Sequence, residues 1–194
     1  MTSNSSNKIG HVAIIMDGNS RWARQRNLKT IEGHKQGVNR LRDIVKYSAK
    51  SEITHLSVFA FSTENWKRSA SDVSDLMKLF LQSIIKEVPE LIENKVQLNF
   101  IGDIPRFSKS LVSQINSAMK DTQAKKPNLN LNVAISYGGR WDILNAIKRI
   151  KDHKINTDKL NEDDFSNLLS TSDFPDPDLL IRTGDEIRIS NFFL

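Results

Sequence analysis

Five short apolar runs, each ended by a polar cluster and separated by segments of helical spacing, constrain this chain more than any other feature. They are Val12 to Met16, Leu56 to Phe61, Val96 to Ile101, Leu129 to Ile135 and Asp178 to Arg182. The first, five apolar residues with two isoleucines and a valine, fits a strand covered on both faces, whereas Leu129 to Ile135 carries alternating apolar residues. Strands that alternate with helices predict an α/β fold with a largely parallel central sheet flanked by helices. In such sheets ligands bind at the carboxyl edge, where the polar clusters fall. The first cluster follows directly on its strand, H-V-A-I-I-M-D-G-N-S-R. Asp17, Asn19 and Arg21 offer a metal ligand, an amide and a guanidinium within five residues, and Gly18 lets backbone approach a ligand closely. An ordinary D-G turn is the alternative reading of this stretch alone.

Between the runs, Val38, Leu41, Ile44, Val45 and Ala49 predict a helix from about His34 to Ala49, with His34 and Lys35 at an amino end able to attract an anion. A longer helix over Asp72 to Val88 carries apolar residues on more than one stripe and therefore needs two apolar neighbours. Pro105 is placed to open the next helix, with Phe107, Leu111, Ile115 and Met119 following at spacings of four. A further helix, Trp141 to Ile150, should turn Trp141, Leu144, Ile147 and Ile150 inward. A polar stretch then follows to about Ser172, with a short helix around Phe165, Leu168 and Leu169. His11, His55 and His153 are read as structural, and the pair Asp163 and Asp164 as solvated surface.

With 194 residues the chain suits one domain, 9–194, after a polar, disordered tail, 1–8. No apolar run approaches the roughly 20 residues of a membrane span, and no signal peptide is evident. Cysteine is absent, which excludes disulfide and thiolate chemistry and leaves the cytoplasm as the expected compartment. The net charge of +5 is uneven: Arg21 to Lys50 holds nine Lys or Arg against two acids. Such a half wants an anion, whether nucleic acid, a phosphate-bearing small molecule or an acidic membrane. Neither the P-loop nor the dinucleotide glycine fingerprint is present, and no two-histidine zinc pattern or G-x-S-x-G elbow occurs. The last cluster, Arg182 to Ser190, sets two arginines on one compact loop, which fits a phosphate or diphosphate.

Taken in order, H-V-A-I-I-M-D-G-N-S-R-W-A, G-H-K-x-G, F-A-F-S-T-E-N-W-K-R, Y-G-G-R-W-D-I and D-L-L-I-R-T-G-D-E-x-R-I-S-N-F-F-L closely resemble the cis-prenyltransferases, in particular bacterial undecaprenyl diphosphate synthases. The resemblance runs from about Ile9 to the last residue. It implies a Mg2+-dependent enzyme, usually a homodimer, that adds isopentenyl diphosphate repeatedly to an allylic diphosphate, with farnesyl diphosphate as the expected primer. The implied product is a long cis-polyprenyl diphosphate such as the undecaprenyl carrier of cell-wall synthesis, released with peripheral contact at the inner face of the membrane. Nucleic acid is not an expected partner.

By the same resemblance Asp17 is the magnesium residue and a catalytic group, while Gly18, Asn19, Arg21 and His34 hold the allylic diphosphate. Arg182, Arg188 and Ser190 hold the diphosphate of isopentenyl diphosphate with help from Arg68. Ser62 and Asn65, the second of them catalytic, lie near the condensing carbons, and Trp22 and Trp66 either pack beside substrate or are buried structural tryptophans. Three positions depart from the family pattern. Ser20 and Asp185 replace glycines, and Thr30 replaces an arginine, which weakens one phosphate contact or shifts it to Lys29. The family also continues past the point where this chain ends in an exposed F-F-L, so a truncated piece is expected. A non-catalytic, cis-prenyltransferase-like partner subunit is the alternative.

Overall fold

The computed structural model describes residues 8–193. The elements are β1 (His11–Ile15), α1 (Asn19–Arg24), α2 (Thr30–Ser48), β2 (His55–Ser62), α3 (Ala70–Glu93), β3 (Val96–Ile101), α4 (Lys109–Asp121), β4 (Leu129–Tyr137), α5 (Gly139–Asp152), α6 (Glu162–Ser166) and β5 (Leu179–Arg182). All five strands are parallel, in the order β3-β4-β2-β1-β5. The polar tail lies outside the described residues except for Lys8, which pairs with Glu52 at 3.1 Å.

Every residue of β1 is buried, because both faces of the sheet are covered. One face, with Val12, Ile14, Leu56, Val58, Leu98 and Leu131, packs beneath α2, α3 and α4. The other carries Ala13, Ile15, Phe59, Ala134 and Tyr137 against Trp141, Phe174, Phe192 and Phe193. The F-F-L stretch is therefore not an exposed end as far as it is described: Phe192 is 2% exposed and stacks on Phe59 at 4.5 Å. Burying such a ring contributes roughly 1.5–3 kcal/mol.

Several helix boundaries differ from the sequence expectation. Helix α2 starts at Thr30, so Gly33 lies within it and His34 sits beyond its first turn. The glycine serves approach rather than termination, since a Cβ there would collide with the Asn19 carbonyl of α1. His34 and Lys35 therefore do not stand at the helix start, whose free N–H groups lie about one turn earlier. Helix α3 opens at Ala70, with the Ser69 hydroxyl accepting from Asp72 N at 3.2 Å, and continues through Pro89 to Glu93. Pro105 belongs to a short 3-10 turn, Ile104–Arg106, and α4 is capped instead by Ser108. In α5 the inward face is rotated: Leu144 and Ile147 are 60% and 50% exposed, whereas Asp142 and Ala146 are buried. The reason is the Asp142 carboxylate, which accepts from Ser170 N and Oγ at 3.0 and 2.8 Å and turns that side of the helix inward. Strand β4 is buried almost throughout instead of alternating, and it includes Asn132 and Ser136.

Those buried polar groups are paired. His11 Nε2 meets Ser57 Oγ at 2.8 Å, Asn132 donates to the same hydroxyl at 3.1 Å, and Asn99 donates to Asn132 Oδ1 at 3.0 Å. His11 Nδ1 reaches the Pro175 carbonyl at 2.6 Å. Burial lowers the pKa of His11 from the ordinary 6.5, outweighing the Pro175 and Asp176 backbone and the Asp178 carboxylate, which raise it. At mildly acid pH the unfolded chain takes up a proton that folded His11 refuses. The unfolding free energy should therefore be fully present above pH 6.5 and decline as pH falls below it, by at most ~1.4 kcal/mol per pH unit for this group. Denaturant melts of the wild type and His11→Gln between pH 7.5 and 5 test this, with a smaller slope expected in the variant; equal slopes would remove His11 as the cause.

Candidate active site

The strand order reverses between β1 and β5, so the carboxyl ends of these neighbours open a crevice at the point where α/β sheets take ligands. Ile15 is paired with Arg182, which brings the turn after β1 against the loop after β5. Asp17 N donates to the Ile15 carbonyl at 3.1 Å and Gly18 takes φ 94°, so the chain turns sharply into α1. The facing Gly184 takes φ 86° and is packed so tightly that a Cβ would lie 2.9 Å from Gly18 N and 2.7 Å from Arg21 Nη2. Asp185 follows at φ 63° with its side chain exposed, a left-handed conformation that aspartate tolerates better than most residues.

Arg182 joins the two loops. Its Nη2 donates to Asp17 Oδ2 at 2.7 Å and its Nη1 to Ser190 Oγ at 2.6 Å and to the Arg188 carbonyl, while its buried Nε has no partner. Arg21 donates to the Gly184 carbonyl, and its Nη2 lies 3.6 Å from Asp17 Oδ2. Partial burial pushes the Asp17 carboxyl up. The bonds from Arg182 and Gly18 N, with the Arg182 and Arg21 charges, outweigh it and hold the group below the ordinary 3.8. Asp17 is thus a carboxylate at neutral pH.

The crevice leads into a cavity of about 420 Å³ between the sheet and helices α2 and α3. Asp17, Asn19, His34, Ser62, Asn65, Arg68, Arg182, Arg188 and Ser190 line its polar end, and Leu41, Val45, Leu79, Phe80, Ile84, Leu98 and Val133 much of the remainder. This cavity is the second apolar neighbour that the breadth of α3 demanded. His34 Nε2 is buried without a partner; burial, then the Arg68 charge, lowers the ring's pKa against the pull of Asp72, so the imidazole is neutral at pH 7. Asn65 Oδ1 accepts from Ser62 N at 3.0 Å, which leaves its amide NH2 as the free donor.

Gly18 and Arg21 sit at the turn beside the crevice without lining the cavity. Three other residues expected beside substrate lie off its wall. Trp22 is half-buried under the Arg26 guanidinium at 4.4 Å, Lys29 is exposed at the start of α2, and Trp66 donates through Nε1 to Ser136 Oγ at 2.9 Å. Glu186 is a member that sequence reading left without a role: it accepts from Arg188 at 2.9 Å and lies 4.0 Å from Arg21. Its place within R-T-G-D-E was the available signal. Cross-helix pairs such as Arg42 with Glu87, whose Nε to Oε2 distance is 2.7 Å, carry no local sequence mark. Among the described residues no three His, Asp or Glu side chains gather into a metal cage.

Comparison with known proteins bears on this geometry. A prenyltransferase family model for undecaprenyl diphosphate synthase matches residues 15–194. The chain is 46% identical over 184 residues to an isoprenyl transferase of Neisseria meningitidis serogroup A, covering 95% of this chain and 73% of that one. It is 44% identical over 188 residues to the (2E,6E)-farnesyl-diphosphate-specific ditrans,polycis-undecaprenyl-diphosphate synthase of Legionella pneumophila strain Paris, covering 95% and 79%. A crystal structure of lavandulyl diphosphate synthase from Lavandula x intermedia, in complex with dimethylallyl diphosphate, superposes with a TM-score of 0.90 at 36% identity over 96% of this chain and 82% of that one. A Campylobacter jejuni structure described as a probable undecaprenyl diphosphate synthase gives 0.78 at 31% identity, over 96% and 80%.

Proposed function

Because the chain belongs to the undecaprenyl diphosphate synthase family of prenyltransferases, we propose that it joins isopentenyl diphosphate to an allylic diphosphate, with farnesyl diphosphate as primer, and repeats the step to a long cis-polyprenyl diphosphate. Undecaprenyl diphosphate, for the cell-wall lipid carrier, is the product we expect. In each round the allylic carbon–oxygen bond breaks and its electron pair leaves with diphosphate. The isopentenyl double bond supplies the pair for the new carbon–carbon bond, and a proton departs. The observation that carries this reading is the cavity itself, rich in cationic and polar groups at one end and largely apolar beyond, with Arg42, Lys46, Glu87 and Glu90 also on its wall. Such a shape suits a substrate with a diphosphate head and a hydrocarbon tail that must leave water.

We assign the allylic diphosphate to Gly18, Asn19, Arg21 and His34, and the isopentenyl diphosphate to Arg182, Arg188 and Ser190 with Arg68 nearby. Holding both substrates side by side supplies much of the rate. The free Asn65 NH2, with Ser62 beside it, is assigned to the space between them. Magnesium fits the donors present: Asp17 is one anionic carboxylate at the polar end with no cage around it, the arrangement in which a hard cation completes its shell with phosphate oxygens and water. Bound there, the ion would offset the charge gathering on the leaving diphosphate.

The test is incorporation of radiolabelled isopentenyl diphosphate into butanol-extractable product with farnesyl diphosphate and magnesium. Label in extended products is expected, and a folded protein that incorporates none would refute the reading.

For a protein partner we propose a second copy of the chain. Leu144 and Ile147 of α5, Leu180 and Ile181 of β5, and Ile187 leave apolar surface exposed, Ile187 fully. Sedimentation at twice the chain mass is expected, and a monomer at micromolar concentration would contradict it. Among the described residues no helix is long and apolar enough to cross a membrane. A cytoplasmic enzyme in peripheral contact with the inner face of the membrane during product release is the arrangement proposed.

A further inference from the structure

We propose that Ser136 and Trp66 form a positioning pair that fixes the 3-10 turn Thr63–Lys67, and with it the Asn65 amide, at the polar end of the cavity. The proposal rests on the prenyl-transfer reading of that cavity. It begins with a defect in the sheet. Two register shifts follow one another: Ala60 of β2 is skipped between the pairs Phe59 with Ala134 and Phe61 with Ile135, and Ser136 of β4 is skipped between the latter and Ser62 with Tyr137, so Ser136 sits in a local bulge and opposes nothing on β2. Such a bulge bends the strand and re-aims one side chain. Ser136 is wholly buried and takes φ 49°. Glycine would adopt that conformation without a Cβ in the way. Serine adds a hydroxyl, and the hydroxyl accepts the Trp66 indole N–H at 2.9 Å.

The indole is fixed on its other sides as well. Phe61 meets it edge-on at 5.1 Å, Phe107 lies at 5.4 Å, and the Arg106 guanidinium covers the ring at 4.5 Å. The Ser136 carbonyl accepts from Asp103 N at 3.2 Å, which ties the loop bearing Arg106 and Phe107 to the same residue. A strut therefore runs from the end of β4 through Trp66 into the turn. Asn65 is the residue before Trp66, and its carbonyl accepts from Arg68 N at 3.1 Å. A swing of the indole would carry Asn65 with it and alter where its free NH2 points. Trp66 thus acts on the reaction through Asn65, without facing the cavity.

Ser136→Gly separates the hydrogen bond from the fold, because it deletes the hydroxyl and at the same time relieves the left-handed backbone. With farnesyl and isopentenyl diphosphates, kcat of Ser136→Gly and of Trp66→Phe should each fall about tenfold, short of the roughly 100-fold that a 1 Å misplacement can cost. KM for farnesyl diphosphate should hold within twofold. The double variant should be no slower than either single, since both cut one strut. Ser136→Asn, which tolerates positive φ and retains an acceptor, should recover part of the loss.

Hydrogen exchange at Arg68 N–H needs no turnover and tests the strut alone: it should quicken in Ser136→Gly and Trp66→Phe while β1 amides stay protected. Wild-type kcat in Ser136→Gly, losses that multiply in the double variant, or unchanged exchange at Arg68 would each overturn the proposal. Absence of turnover in the unaltered protein would instead overturn the prenyl-transfer reading on which it rests.

Discussion

Asp17→Ala is expected to lower label incorporation by about 1,000-fold or more, the scale of losing a group that stabilises charge only in the transition state. Fold should survive. The Asp17 side chain is 32% exposed, so its pair with Arg182 is worth well below the 3–5 kcal/mol of a fully buried one, and a loss of about 1 kcal/mol is expected. Asp17→Asn sharpens the experiment, because the amide oxygen can still accept from Arg182 while the charge is gone. Melting of this variant should stay near that of the wild type, with kcat/KM falling nearly as far as in the alanine variant. Full activity in Asp17→Asn would mean that the carboxylate charge is not what the reaction uses. Since Asp17 holds its charge to below the ordinary 3.8, no loss of activity between pH 8 and 5 should trace to it.

Arg182→Lys should be the next most damaging substitution tested, at about 100-fold in kcat/KM. The side chain is 11% exposed and its planar fork reaches Asp17, Ser190 and the Arg188 carbonyl at once. Lysine retains the charge but cannot span those three partners from fixed directions. The effect should fall more heavily on KM for isopentenyl diphosphate than on KM for farnesyl diphosphate, because the loop of Arg188 and Ser190 is what the fork holds. Equal increases in both would reassign Arg182 to the whole crevice, and wild-type constants would remove it from substrate binding.

The strands were legible because burial shows in the sequence, as an unbroken apolar run where both faces are covered, as in β1, and as apolar residues interrupted by Gln97 and Asn99 in Val96 to Ile101, whose bounds agree in sequence and structure. The polar clusters at their carboxyl ends were legible for a related reason, since parallel strands deliver every such end to one edge. Asp17 and Arg182 therefore meet although no local pattern links them. What escaped was decided by distant atoms. The helix expected from His34 begins four residues earlier, with Gly33 packed against the Asn19 carbonyl, and the one expected to end at Val88 runs on through Pro89. Leu144 and Ile147 look inward by period, but the bonds from Ser170 to Asp142 set the rotation of α5. For Trp22 and Trp66, an aromatic beside a motif looks the same in sequence whether it faces a ligand or the core. The Arg26 and Ser136 contacts give each a structural partner.

The junction of β1 with β5 also dictates an order of events during folding. Asp17 and Arg182 are 165 residues apart, and the four register pairs that align their strands close almost the whole chain into one loop. Contacts of such separation form after local ones, because the entropy of closure precedes any gain from the contact. During synthesis β1 can pair with β2 long before the segment bearing Arg182, Arg188 and Ser190 has left the ribosome. The cavity wall of α2, α3 and the strands beside β2 can thus form first, while the bond from Arg182 to Asp17 that joins the two loops waits for β5.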